Sequence, residues 1–228
     1  MFSILDLLFP KRCVSCRKFG YFLCQRCIQK LKTVGDICPV CERPSMVGET
    51  HQYCQTAYSL DGLTSVFLYT RPIKEAIHRF KYPPYIEKLA PILAELITDN
   101  LKKSKGFLFF VKIKPTLVPI PLHWWRKHLR GYNQTELLVR ELANKLNLPE
   151  ENILQRKKLS KPQSELSFKQ RKANVAHIFT IGEKFKNSLS KNIVLIDDVW
   201  TTGSTLKSAC LTLKRKGVIG VWALTLAR

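Results

Sequence analysis

Acidic side chains are scarce in this chain: 17 Asp and Glu stand against 38 Lys and Arg in 228 residues, for a formal net charge of +21. Between residues 102 and 191 there is no Asp at all, and six Glu face 20 Lys and Arg. Such a balance points to a partner rich in phosphate. Long apolar runs are also missing, so no segment reads as a membrane-spanning helix. The apolar opening, MFSILDLLFPKRC, is broken by Asp6, has no basic residue ahead of it and carries no small-residue cleavage pattern. It is a poor export signal. We read it as a short amphipathic helix packing on the fold, with a partner or the inner face of the membrane as the alternative contact. The expected compartment is the cytoplasm. No helix-turn-helix pattern is evident. Met1-Phe2 supplies no N-terminal nucleophilic cysteine and no glutaminase domain fits in the length, so a glutamine-dependent amidotransferase is not expected. With 45% hydrophobic and 24% charged residues, the chain can build one good-sized domain and a small module.

Cysteine is absent from residues 55 to 209, and seven of the eight cysteines lie before residue 55. They come in spaced pairs. Cys13-x2-Cys16 is followed after seven residues by Cys24-x2-Cys27, and Cys38-x2-Cys41 after nine by His51-x2-Cys54. Each turn of this kind presents two ligands to one tetrahedral ion, so two structural zinc sites are expected, one with four cysteines and one with three cysteines and His51. A disulfide framework is the rival for so many cysteines, but the regular pairs and the poor export signal count against it. The remaining thiol, Cys210, reads as a buried small hydrophobe. The expected organisation is a zinc module over residues 1–57 and a second domain over 58–228.

In that second domain the most specific string is VLIDDVWTTGSTL, residues 194–206. Val194, Leu195 and Ile196 suit a strand buried on both faces of a parallel sheet. Asp197 and Asp198 fall at its carboxyl end, where open α/β sheets bind ligands. Thr201, Thr202, Gly203, Ser204 and Thr205 then lead into a helix reaching about Lys216, with Leu206, Cys210 and Leu213 on its apolar side and Gly217 as its stop. Small side chains at a helix start let backbone amides close around a phosphate, while the carboxylates take sugar hydroxyls or a divalent metal. A lone acid pair or a lone T-T-G would be an ordinary helix cap. The whole string resembles the phosphoribosyl-pyrophosphate loop of type I phosphoribosyltransferases, which implies a parallel-sheet, Rossmann-like fold.

Upstream, VFLYT reads as a strand, PIKEAIHRFKY as a helix with Ile73, Ile77 and Phe80 on one face, and Ile86 to Leu101 as another helix. Residues 102–114 form a basic stretch around GFLFFV with no clear period. TLVPIPL reads as a second buried strand, followed by a loop with Arg126, Lys127 and Arg130 and a helix carrying Leu137, Leu138, Leu142 and Leu146. A parallel sheet would put that cationic loop on the same edge as Asp197 and Asp198, where it could take a pyrophosphate or a DNA phosphate. A further strand ends in Arg156, Lys157 and Lys158, of which Arg156 and Lys158 join the phosphate-binding candidates. The polar stretch behind it, with Gln163, Ser164, Leu166, Arg171 and Asn174, could serve as a flexible cover. Each basic residue taken singly is an ordinary solvated charge. Trp124 and Trp125 could stack on bases or simply pack half-buried, and no chemistry is assigned to His78, His123, His128 or His177.

Taken together, these features resemble the ComF family of competence proteins. The likeness rests on the cysteine pairs and on Y-T-R-P-I-K-E-A-I-H-R-F-K-Y, V-P-I-P-L-H, R-G-Y-N-Q, L-x-R-K-K with Q-S-x-L-S-x-x-x-R-x-x-N-V, D-D-V-x-T-T-G and the terminal L-T-L-A-R. It implies a double zinc ribbon joined to a type I phosphoribosyltransferase domain, and a role in bringing single-stranded DNA into the cytoplasm. It also implies contacts of Asp197 and Asp198 with ribose and metal, with Thr201 to Thr205 on the 5′-phosphate. Phosphoribosyl pyrophosphate with Mg2+, single-stranded DNA and other DNA-uptake proteins are the implied partners. His51, where the family usually has cysteine, is the main departure.

Overall fold

The computed structural model describes residues 10–83, 85–122, 131–156, 178–186 and 188–228. Its centre is a four-stranded parallel sheet in the order β1-β6-β5-β2. The strands are β1 Gly62–Phe67, β2 Thr116–Pro119, β5 Asn192–Val199 and β6 Gly220–Ala227. A separate antiparallel pair is made by β3 Leu154–Arg156 and β4 Phe179–Ile181. The helices are α1 Gln25–Ile28, α2 Ile73–Lys81, α3 Leu89–Leu101, α4 Lys105–Val111, α5 Gln134–Leu146 and α6 Ser204–Lys214.

Helices cover both faces of the sheet, and the period-2 alternation of the strands explains why. On β5, Val194 and Ile196 join one core with α2, α3 and α5, while Ile193 and Leu195 join a second with α6 and β4. On β6, Trp222, Leu224 and Leu226 go with the first core, and Val221 and Ala223 with the second. A strand with both faces covered has no use for polar alternation, hence the near-continuous apolar runs in the sequence. The helices supply matching stripes: Ile73, Ala76, Ile77 and Phe80 on α2, and Leu206, Ala209, Cys210 and Leu213 on α6. Each large apolar side chain so buried contributes about 1.5–3 kcal/mol. This is the expected α/β fold, and Cys210 is the buried hydrophobe it was read to be.

Among the described residues, both edge strands carry further backbone hydrogen bonds. Along β1, Val34 N donates to Val66 O at 3.3 Å and Leu63 N to Gly48 O at 2.8 Å, with bridges Thr33↔Phe67 and Glu49↔Gly62. At β2, Leu117 N donates to Pro149 O at 2.8 Å and Glu151 N to Leu117 O at 3.0 Å. The cysteine-rich segment therefore closes one side of the sheet. Its Cys13, Val14, Leu23, Cys24 and Cys27 are part of the same core as α2.

Several boundaries differ from the sequence reading. The strand β1 starts at Gly62, ahead of VFLYT, because its register with β6 begins at Gly62↔Trp222. The strand β5 runs on through both acids to Val199, since Asp197↔Thr225 and Val199↔Ala227 continue the ladder. The helix α3 begins at Leu89, and α6 ends at Lys214 with Gly217 at φ +91° beyond it. Helix α4 occupies the stretch without a visible period: Gly106, Phe107 and Phe110 are buried while Leu108 and Phe109 are exposed, and five apolar residues in a row mask that pattern. Among the described residues, no helix is long and apolar enough to cross a membrane.

Candidate functional site

Two knuckles of the same construction hold the cysteines. In the first, Arg17 N donates to Cys13 O at 2.9 Å and Cys13 N to Lys18 O at 2.8 Å; in the second, Glu42 N donates to Cys38 O and Cys38 N to Arg43 O, both at 2.9 Å. Arg17 and Glu42 both take a left-handed conformation, φ 67° and 60°. These turns aim backbone N–H groups at sulfur. Burial raises the Cys13 thiol, yet the N–H groups of Cys16, Cys24 and Ser15 outweigh it and bring the pKa down to about 6. Cys38 is lowered in the same way by the N–H groups of Cys41, His51 and Val40.

The donor atoms of Cys13, Cys16, Cys24 and Cys27 lie within 4.8 Å of one another, and so do those of Cys38, Cys41, His51 and Cys54. A tetrahedral ion with Zn–S bonds of about 2.3 Å needs sulfurs roughly 3.8 Å apart, and soft thiolate sets of this kind suit zinc. Both groups are zinc-binding clusters, with the ligands expected from the spacing. In the second, His51 Nε2 lies 3.1 Å from Pro44 O and donates to it, which turns Nδ1 toward Cys41 Sγ at 3.4 Å. A backbone carbonyl on the far nitrogen is the usual way to fix a ligating imidazole. Tyr53 Oη lies 3.0 Å from the same Nδ1, and its ring stacks on His51.

The other site lies at the carboxyl ends of β5 and β2, which are neighbours with Pro119 opposite Ile196. A pocket of about 160 Å³ is lined there by Lys81, Gln134, Thr135, Arg156, Asp197, Asp198 and Thr205, among others. Strand alternation sends the two acids to opposite faces. Asp198 shares its face with Val194 and Ile196, and meets Lys81 from α2 at 2.7 Å; their side chains are 9% and 23% exposed. Asp197 shares its face with Ile193 and Leu195, and its Oδ1 accepts the N–H of Asp198 at 2.8 Å. Burial, and then the charge of Asp198, push its pKa up to about 7 against the opposing pull of that N–H, Lys81 and Arg156.

Between β5 and α6 the chain turns through Thr201 and Thr202 to Gly203, the N-cap of α6, at φ +65°. A Cβ on Gly203 would lie 2.2 Å from the ring of Trp200, which is buried directly beneath. Thus both the backbone conformation and the space demand glycine. Thr202 Oγ1 bonds Ser204 Oγ at 3.2 Å and accepts from Ser204 N at 3.4 Å. Lys207 Nζ donates to Thr202 O at 3.1 Å, lies 5.1 Å from the centroid of the Trp200 ring, and is 3.7 Å from Glu42 Oε1 of the second knuckle. The loop is thereby fixed from below and from the side.

The structure brings Asp197, Asp198, Thr205 and Arg156 together around one pocket, with Gly203 buried behind it and Thr201, Thr202 and Ser204 exposed on the loop. Arg126, Lys127, Arg130 and Lys158 lie outside the described residues, as do Trp124, Trp125 and the cover stretch after Arg156. Residues not singled out for the site from sequence are Lys81, Gln134, Thr135 and Trp200. The positions of Lys81, Gln134 and Thr135 follow from Tyr132 and Asn133. Tyr132 Oη donates to Phe80 O at 2.9 Å, tying the end of α2 to the start of α5. Asn133 caps α5 by accepting from Thr135 N at 3.1 Å, and its Nδ2 donates to Ile120 O at 3.4 Å beyond the end of β2. A cation closing an apolar helix stripe, as Lys81 closes α2, is the signal that was available for one of them.

The double zinc ribbon domain family model matches residues 4–57. Over 235 residues the chain is 31% identical to competence protein F of Haemophilus influenzae (strain ATCC 51907 / DSM 11121 / KW20 / Rd), covering 96% of this chain and 98% of that protein. It is 32% identical over 212 residues to competence protein ComFC of Bacillus subtilis (strain 168), covering 86% of this chain and 79% of that one. The DNA utilization protein YhgH of Escherichia coli (strain K12) is 27% identical over 234 residues, at 96% and 98% coverage. Full-length likeness at this level, ribbon included, makes the chain a member of the ComF family of competence proteins.

Proposed function

We propose that the chain handles single-stranded DNA during its uptake and binds phosphoribosyl pyrophosphate with Mg2+ in the pocket between β5 and β2. The observation that carries the small-molecule half is the meeting of Asp197, Asp198 and Thr205 at the carboxyl edge of the sheet, with the N-terminus of α6 beside them. A ribose diol would lie against the acids and the 5′-phosphate against the loop of Thr201 to Thr205, while Arg156 faces the diphosphate. Arg126, Lys127, Arg130 and Lys158 extend that cationic side in this reading. The Mg2+ arrives with the diphosphate oxygens. Support for the DNA half comes from the +21 charge and from relatives whose names refer to competence and DNA utilization. In this scheme residues 1–57 are the zinc-held unit and 58–228 the ligand-binding body, working in the cytoplasm or against the inner membrane face beside other uptake proteins.

The test is the anisotropy of a labelled single-stranded oligonucleotide at about 0.15 M salt, where attraction by charge alone fades steeply. Tight binding there supports the reading, and competition by phosphoribosyl pyrophosphate with Mg2+ would put the strand across the pocket. No binding at that salt removes the DNA half. A second reading, a phosphoribosyltransferase acting on a nucleobase or amine, is favoured by the presence of both carboxylates. It requires Mg2+-dependent pyrophosphate release that disappears in Asp197→Asn with Asp198→Asn. No release across a broad acceptor set argues against it.

A further inference from the structure

Two adjacent carboxylates at a strand end are hard oxygen ligands of the kind a divalent ion uses. In this chain one of them is already occupied. Lys81 Nζ is 2.7 Å from Asp198 Oδ1, with the pair mostly out of water. Lys81 also springs from a fixed point of the fold. It is the last residue of α2, whose buried Ile73, Ala76, Ile77 and Phe80 anchor the helix, and the Tyr132 hydroxyl pins the carbonyl of Phe80 just before it. Asp197 is held separately by the N–H of Asp198 at 2.8 Å. We infer that Lys81 is the resident cation of the acid pair: it fills the place at Asp198 that a divalent ion would take, so that the acids meet a sugar diol without a metal of their own.

Any dication at Asp198 would sit within a few ångströms of the ammonium and be repelled by it in a poorly solvated pocket. Metal dependence of ligand binding is thereby confined to the diphosphate end. This inference rests on the pocket being a sugar-diphosphate site only for its purpose; the charge arrangement itself is tested without any sugar phosphate.

The experiment is a Mn2+ titration of the zinc-loaded full chain, read by the electron paramagnetic resonance signal of free Mn2+. Wild type and Lys81→Arg are expected to show no site at the acid pair. Lys81→Met is expected to gain one site, tighter by at least about tenfold as the repulsion is removed, and lost again in Lys81→Met with Asp198→Asn. Equal Mn2+ binding by wild type and Lys81→Met overturns the inference. If Lys81→Met does not fold, wild type against Asp198→Asn decides: a loss of Mn2+ binding in Asp198→Asn overturns it, and identical titrations support it. None of these outcomes depends on phosphoribosyl pyrophosphate, so failure of the ligand proposal and failure of this one are read apart.

Discussion

The two zinc clusters share one knuckle geometry and differ in what surrounds it. Cys13, Cys24 and Cys27 are buried in the core that contains α2, Phe67 and Trp222, whereas in the second cluster only Cys38 is buried and Cys41, His51 and Cys54 are partly exposed. The same ligand motif thus serves as a core element in one place and as a surface clamp in the other. Local sequence sets the ligand turn, and packing sets how much of the fold depends on it.

That contrast predicts unequal damage. Cys27→Ser should lose one zinc by mass-spectrometric metal analysis and abolish cooperative melting, because structural zinc in small modules contributes on the order of 10–16 kcal/mol of coupled folding energy. His51→Ala should weaken or empty the second cluster while the melting transition of the sheet survives. Equal loss of melting in both variants would show that surroundings do not divide the two roles.

A second contrast lies within the acid pair, where neighbours in sequence face opposite layers. Asp198→Asn leaves the Lys81 ammonium without its partner in a site only partly open to water, at a cost of about 2 kcal/mol, or roughly 4–8 °C in melting temperature. Asp197→Asn should act in the other direction. A carboxyl whose pKa is raised to about 7 holds its proton more tightly folded than unfolded, so its contribution is full at low pH and is lost as pH rises through 7. Wild type therefore loses stability relative to Asp197→Asn as pH rises from about 4 to about 7, seen as a gap in melting temperature that widens over that range and is constant above it. A gap independent of pH would remove burial of that carboxyl as the cause. The smallest effect is expected for His51→Cys, which restores a four-thiolate set on an exposed knuckle. It should retain both zinc ions and alter melting by no more than a degree or two, within the range of a surface substitution.

How much of this was legible beforehand depends on how local the cause is. The zinc ligands were readable because a C-x2-C turn is a short-range structure that one ion completes. The loop from Asp197 to Thr205 was readable because a buried strand, a glycine in a left-handed turn and a helix start follow one another without interruption. Lys81 was legible only as the cation that closes the α2 stripe, since its role depends on its meeting Asp198 at the end of β5, which no local pattern announces. Trp200 was equally opaque as a single aromatic between two motif halves, although its ring is what leaves room only for glycine at position 203. Helix α4 escaped for the opposite reason, being apolar on too many sides for its period to be seen.

One feature of the sheet bears on the life of the protein outside the pocket. Backbone groups of residues 32 to 50 bond both ends of the outer flank of β1, so little of this strand is left as an edge. A body beginning at residue 58 would bare a six-residue strand through which copies could join edge to edge. Metal supply would then govern whether the chain stays in solution. Zinc starvation is expected to deplete the protein by aggregation well before it impairs any ligand the pocket holds.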